Sequence, residues 1–292
     1  MSELIHITGR AETVGGLPIS RLLPALQRRA VGPFVFVDHI GPATLVPGQG
    51  LDVPPHPHIG LATVTYLFEG IQLHRDTLGN EVTIVPGDVN LMSAGRGIAH
   101  SERTPADARN GGNLHGVQTW LALPRELEQS SPHFEHYDSA VLPRFGEDGV
   151  SVHLLIGQMF GHISPVAVPS STLYAVIDLA EGAELVIPAD YAESAVLLIS
   201  GAATAAGETL GANELVLLAA DSATPLRASD ASRILLLGGA PLDGPRTLWW
   251  NFVASDRELI EAAKVAWQED RFGSIPNETE RLPLPIKRAS VD

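Results

Sequence analysis

Apolar and β-branched positions along this chain gather in short runs, each closed by turn-forming residues. Pro33 to Asp38 is one such run, bounded by Gly32 and Gly41. Leu61 to Phe68 has the Val, Thr, Tyr and Phe content of a buried strand and ends at Glu69-Gly70. Leu78-Gly79-Asn80 reads as a hairpin turn before Val82 to Val85, and Pro86-Gly87-Asp88 as the turn before Val89 to Met92. Gly116 to Leu123 is a further strand. The second half has the same texture, with strand-like runs at Val152 to Ile156, Leu173 to Leu179, Glu184 to Ile187, Ala195 to Ser200, Glu214 to Leu218 and Arg233 to Leu237. Many short strands with turns between them predict an all-β sandwich or barrel. The stretch from Leu142 to Gly149, with Pro143 and Gly146, is the expected boundary between halves. Glu69, Asp76 and Glu81, at hairpin ends, are expected to face solvent.

One segment carries a helical period instead. Ser255 and Glu258 fit a capping box, and Leu259, Ala263 and Ala266 then recur at helical spacing with Ile260 and Trp267 beside them. A short helix ending near Gly273 is predicted, lying against the β structure. Trp249, Trp250 and Phe252 just before it are expected to pack there too.

Composition narrows the chemistry. The 34 acidic residues outnumber the 19 basic ones, giving a formal charge of −15. Such a surface repels phosphate backbones and anionic lipid, so neither direct nucleic-acid binding nor membrane docking is expected. No apolar run approaches the roughly 18 residues of a membrane span. Met1 to His6 has no basic stretch leading into an apolar core, so no signal peptide is expected. There is no cysteine, which removes disulfides and thiolate chemistry and makes a reducing cytoplasm the expected location. Any metal must be held by nitrogen and oxygen, which directs attention to the 11 histidines.

Residues i and i+2 of a strand point to one face. His56 and His58 can therefore converge, and so can His100 and Glu102. Together they offer three imidazoles and one carboxylate, a set suited to Fe, Mn, Co, Ni, Cu or Zn rather than Ca or Mg. A lone His-x-His is weak, since chance gives roughly 0.4 of one in such a chain; the second pair, with turns between, strengthens it. Gly95 and Gly97 let the backbone turn just before His100. Pro57 removes a ladder donor, so its strand should lie at an edge or rim. His39, His74 and His115 are candidates to support the ligands. His133, His136, His153 and His162 show no such pairing, so the second half reads as free of metal.

These residues resemble a known family. Gly32 to Asp38, His56-Pro57-His58 through Gly70, Ala94 to Glu102, His115 to Trp120 and Trp250 to Ser255 are similar to the pirin branch of the cupins. The resemblance implies a bicupin: two antiparallel β-barrels of jelly-roll type with a short C-terminal helix. Residues 1–145 would be the metal-binding barrel, 146–245 a barrel without metal ligands, and 246–292 a helix and tail packed on the barrels. By motif the ligands again fall on His56, His58, His100 and Glu102; Thr63 stands where the wider cupin pattern has a glutamate. The resemblance also implies one divalent transition metal, Fe(II) foremost, and a quercetin 2,3-dioxygenase-like activity on a small aromatic enol with dioxygen. Glu102 would be the catalytic proton acceptor, and Gly60, Phe34 and Phe36 would line an apolar cavity. The family implies an alternative as well: a non-enzymatic, metal- or redox-dependent regulator that binds a protein partner. A purely structural bicupin is the third reading.

Overall fold

The computed structural model describes residues 4–285. Met1 to Glu3, part of the stretch read for a signal peptide, lie outside the described residues. Each half of the chain forms two antiparallel sheets packed face to face. In the first half a seven-stranded sheet runs in the spatial order His133–Tyr137, Val89–Ser93, Leu61–Glu69, Gly112–Ala122, Phe34–Leu45, Leu17–Leu23, Arg10–Val14. Opposite it lies a four-stranded sheet in the order Asp52–His58, Ile98–Arg103, Gln72–Asp76, Glu81–Ile84. Val53 and Ile84 of the smaller sheet pack on Ile19, Ile40, Leu67 and Leu114 of the larger one.

The second half repeats the plan. Its seven-stranded sheet holds Thr172–Leu179, Glu193–Ser200 and Ser232–Gly239 near its centre, and Thr224–Ala228 belongs to the four-stranded sheet. One strand of the larger sheet comes from far away in sequence: Ile5–Thr8 pairs with Glu214–Leu217. The two seven-stranded sheets then bury their outer faces against each other. Val37, Val64 and Val117 meet Tyr174, Val176 and Leu235 in the largest apolar cluster.

The C-terminal segment covers the first half. The hairpin Thr247–Trp249 and Phe252–Ala254 lies against Ile59, which forms a parallel bridge with Phe252. Gly60 makes this approach possible. Its φ is +68°, and a Cβ there would sit 2.0 Å from the Val253 carbonyl oxygen. The helix Arg257–Gln268 follows and buries Ile260, Ala263 and Trp267. The helix cap differs from expectation. Asp256 is the N-cap and accepts from the Glu258 amide at 2.9 Å, while the Ser255 hydroxyl donates instead to buried Glu128 at 2.8 Å. A carboxylate brought from another part of the chain outcompetes the local capping box. Among the described residues, no helix is long and apolar enough to cross a membrane.

Candidate metal centre

His56 and His58 sit on the edge strand of the four-stranded sheet. Pro54, Pro55 and Pro57 all lack an amide donor, so an edge is where this strand loses least. A bulge in this strand falls between His56 and Val53, opposite His100 and Glu102. Beyond it, His56 stands directly across from His100, and His58 is one pleat further on. All three rings are buried, and one nitrogen of each lies within 4.8 Å of the other two.

The outer nitrogens fix the tautomers. His56 Nδ1 lies 2.9 Å from the Pro54 carbonyl oxygen, and His58 Nδ1 lies 3.1 Å from that of Asn251. Both must donate there, which leaves bare lone pairs on the Nε2 atoms. His100 Nδ1 faces His74 Nδ1 at 3.3 Å, and His74 Nε2 is 2.9 Å from Asp76 Oδ2. Asp76 can only accept, so His74 donates to it, and with a neutral ring its Nδ1 accepts from His100. The Nε2 atoms of His58 and His100 are thus two lone pairs 3.1 Å apart. Such an arrangement is repulsive unless a cation stands between or beside them. Burial, the largest influence, also drives all three imidazoles toward the neutral ligand form, with His56 lowered to about 4. This donor set fits a transition metal.

Glu102 lies on the wall of the same cavity but outside the mutual 4.8 Å cluster. Its Oε1 accepts from Gln72 at 2.7 Å and from Gln118 at 3.1 Å. Among the described residues no hydrogen bond reaches Oε2. Burial pushes this carboxyl above the usual range, against the influence of His74 and the two amides.

The cavity in front of the histidines has a volume of about 470 Å³, ample for a small aromatic molecule. Phe36 and Trp120 form one wall, stacked 3.9 Å apart at 11°. The Trp120 ring also meets His58 edge-on at 5.1 Å. A charged wall lies beyond. Arg21 donates to both oxygens of Asp38 at 2.8 and 2.7 Å and to Glu12 at 2.7 Å, with its guanidinium 4.5 Å from the Phe36 ring centre. Trp250, Asn251 and Leu282 of the C-terminal segment close the remaining side.

Four expectations are corrected. Phe34 does not line this cavity: its ring packs 5.2 Å from Tyr174 between the two halves. A bulge at Val35 is the cause, since Trp120 pairs with Phe36 but Leu121 with Phe34, and the extra residue flips the face. Gly60 is occupied with the C-terminal hairpin, as described. Asp76 is fully buried rather than solvated, because it caps the turn at Leu78 and Asn80 and holds His74. Glu69 and Glu81 are exposed as expected. His39 and His115 turn away from the site and pair with each other at 2.8 Å.

Comparisons with known proteins bear on this geometry. The profile described as Pirin matches residues 16–121, and the one described as Pirin C-terminal cupin domain matches residues 174–273. A pirin-like protein of Caulobacter vibrioides is 41% identical, over 94% of this chain and 97% of its own length. A Pseudomonas aeruginosa protein provisionally named a quercetin 2,3-dioxygenase is also 41% identical, over 97% of this chain and 90% of its own. The crystal structure of quercetin 2,3-dioxygenase from Acinetobacter baumannii superposes with a TM-score of 0.91 at 36% identity, covering 97% of this chain and 95% of that one.

Proposed function

This chain belongs to the pirin family, with its two-domain cupin fold, and on that premise we propose that it is a metal-dependent dioxygenase acting on a flavonol-like aromatic enol. In this reading His56, His58, His100 and Glu102 hold one divalent transition metal, Fe(II) in the first instance. The observation that carries it is the pair of opposed Nε2 lone pairs on His58 and His100, the first of these residues lining an aromatic-walled cavity. A cation held there supplies Lewis acidity toward an enol oxygen and one-electron chemistry with dioxygen.

The protein's own part follows from the wall residues. The stacked Phe36 and Trp120 rings form an apolar wall beside which an aromatic ring can lie. Gln72 and Gln118 orient Glu102 through Oε1. With Oε1 taken by the two amides, Oε2 is the oxygen left to receive a phenolic proton, and we assign Glu102 the role of proton acceptor. The C-terminal segment excludes water from one side. A concave cavity of this size beside the histidines supports catalysis over the alternative of a regulator that works through an exposed partner-binding surface.

The test is anaerobic reconstitution of wild type and His58→Ala with Fe(II), followed by metal analysis and quercetin turnover with oxygen uptake. About one metal per wild-type chain, with coupled consumption of quercetin and oxygen that the variant loses, is the expected result. Metal binding without turnover would move the assignment to the regulator, and absence of metal binding would remove the central claim.

A further inference from the structure

The three clustered imidazoles are not equivalent on their outer sides. His56 and His58 each donate to a neutral main-chain carbonyl. His100 alone donates to another side chain, His74, which in turn donates to a carboxylate. That carboxylate, Asp76, is fully buried and firmly held. Its Oδ1 accepts from the Leu78 amide at 2.9 Å and the Asn80 amide at 3.1 Å, and the Asn80 side chain reaches Oδ2 at 2.8 Å. The His74 ring is clamped as well, stacked on Phe134 at 4.4 Å and 16°. The hairpin turn needs Asp76 but not His74: Asp76 would cap it equally well with an apolar residue at position 74.

We propose that His74 and Asp76 are positioning residues that lock His100 in one tautomer and relay the Asp76 charge to it, making His100 the strongest electron donor of the cluster. This rests on the reading of the cluster as a metal centre. A hydrogen bond from the outer N–H of a ligating imidazole to an acceptor raises electron density on the inner nitrogen. An anion at the end of that chain does so more than a carbonyl dipole, and the effect survives because burial leaves it poorly screened. Two consequences follow for the bound metal: tighter binding, and stabilisation of the higher oxidation state.

The test uses full-length wild type, His74→Gln, His74→Leu and Asp76→Asn. Fe(II) affinity is measured anaerobically by chelator competition, the Fe(III)/Fe(II) midpoint potential by spectroelectrochemistry, and fold integrity by thermal melting of the metal-free proteins. In His74→Gln the amide oxygen still accepts from His100 and its NH2 can still face Asp76, so orientation is kept while the imidazole that couples the two is replaced by a weaker amide dipole. We expect the affinities to fall in two steps within the 10- to 100-fold range of outer hydrogen-bond partners, about 10-fold in His74→Gln and Asp76→Asn and about 100-fold in His74→Leu. The potential should move positive in all three. A role confined to packing would lower the melting temperature and leave the potential alone. Should Asp76→Asn fail to fold, because its turn depends on the carboxylate, His74→Gln carries the test. Wild-type affinity within twofold and an unshifted potential in folded His74→Gln would overturn the relay while leaving the metal centre intact. A wild-type protein that binds no Fe(II) would overturn both.

Discussion

His58 Nδ1 lies 3.1 Å from the main-chain oxygen of Asn251, 193 residues further along the chain. One ring of the histidine cluster is therefore oriented by the C-terminal hairpin rather than by its own sheet. The hairpin is in turn fastened to the first half by buried Glu128, which accepts from the Ser255 amide and hydroxyl and lies 2.7 Å from Arg246. The site is thus complete only with the C-terminal hairpin in place.

Gly60→Ala tests that dependence. The substitution puts a Cβ into the left-handed region and into the Val253 carbonyl. The strain alone costs about 2 kcal/mol, which for a chain of this size is a fall in melting temperature of about 3 °C. Displacing the hairpin also removes the acceptor of His58, so Fe(II) affinity should drop along with stability. A variant with unchanged melting and unchanged affinity would show that the hairpin contributes nothing to the site.

Metal should stabilise the fold if the three imidazoles meet only in the folded chain. Fe(II) at 100 times its dissociation constant adds about 2.7 kcal/mol, read as a rise in melting temperature of about 4 °C. His56→Ala should melt at the same temperature with and without Fe(II). An equal rise in that variant would place the binding elsewhere on the protein.

Much of the site was legible because it obeys the simplest rules. The period of two in strands makes His56 and His58 converge, and Pro57 sends their strand to an edge, where it lies. The aromatic wall was half legible: Phe36 faces the cavity, but the bulge that turns Phe34 away leaves no signature in a run of apolar residues. His74 and Asp76 were harder still. A turn-capping aspartate has the same local sequence whether it faces water or a histidine, and only the pairing of Gln72–Asp76 with Ile98–Arg103 separates the two. The first strand could not be read at all as part of the second half, since pairing across some 200 residues is set by packing and not by local pattern. The helix was placed correctly, yet its cap moved by one residue because Glu128 arrives from elsewhere.

Acid should destabilise the protein through its buried histidines, which outnumber the buried carboxyls that burial pushes the other way, Asp38 up to about 6 and Glu102 above its usual range. His115 and His153, both away from the histidine cluster, are lowered to about 4, with burial the largest cause; burial lowers His39 too. Unfolded histidines bind protons near pH 6.5. Between that pH and about 4 the unfolded chain holds more protons than the folded one, so stability rises with pH across the window and is lost as pH falls through it. Urea midpoints of the metal-free protein should therefore decline steadily from pH 7 to pH 4.5. His153→Gln, which removes one such group, should show a shallower decline; an identical slope would remove His153 from the account.

The charged wall of the cavity makes a prediction about which molecules enter it. Arg21 looks like an anchor for a carboxylate, but its donors are already committed to Asp38 and Glu12. An incoming anion would have to break a bidentate pair with Asp38, which is 4% exposed, and would then face two unpaired carboxylates. A phenolic hydroxyl meets no such barrier, since it can donate to Glu12 or Asp38 while the pair stays closed. Neutral polyphenols should therefore bind at least about tenfold tighter than carboxylated analogues on the same aromatic scaffold, the equivalent of one unfavourable charge contact. Arg21→Met should cost roughly 2–3 kcal/mol of stability, below the figure for a fully buried pair because the guanidinium keeps some exposure. By leaving the wall more anionic, it should also widen the preference for neutral ligands. Isothermal titration of the metal-loaded proteins with matched ligand pairs measures both. Tighter binding of the carboxylated member, abolished in Arg21→Met, would mean that Arg21 releases Asp38 to grip an anion and that the cavity selects acids instead.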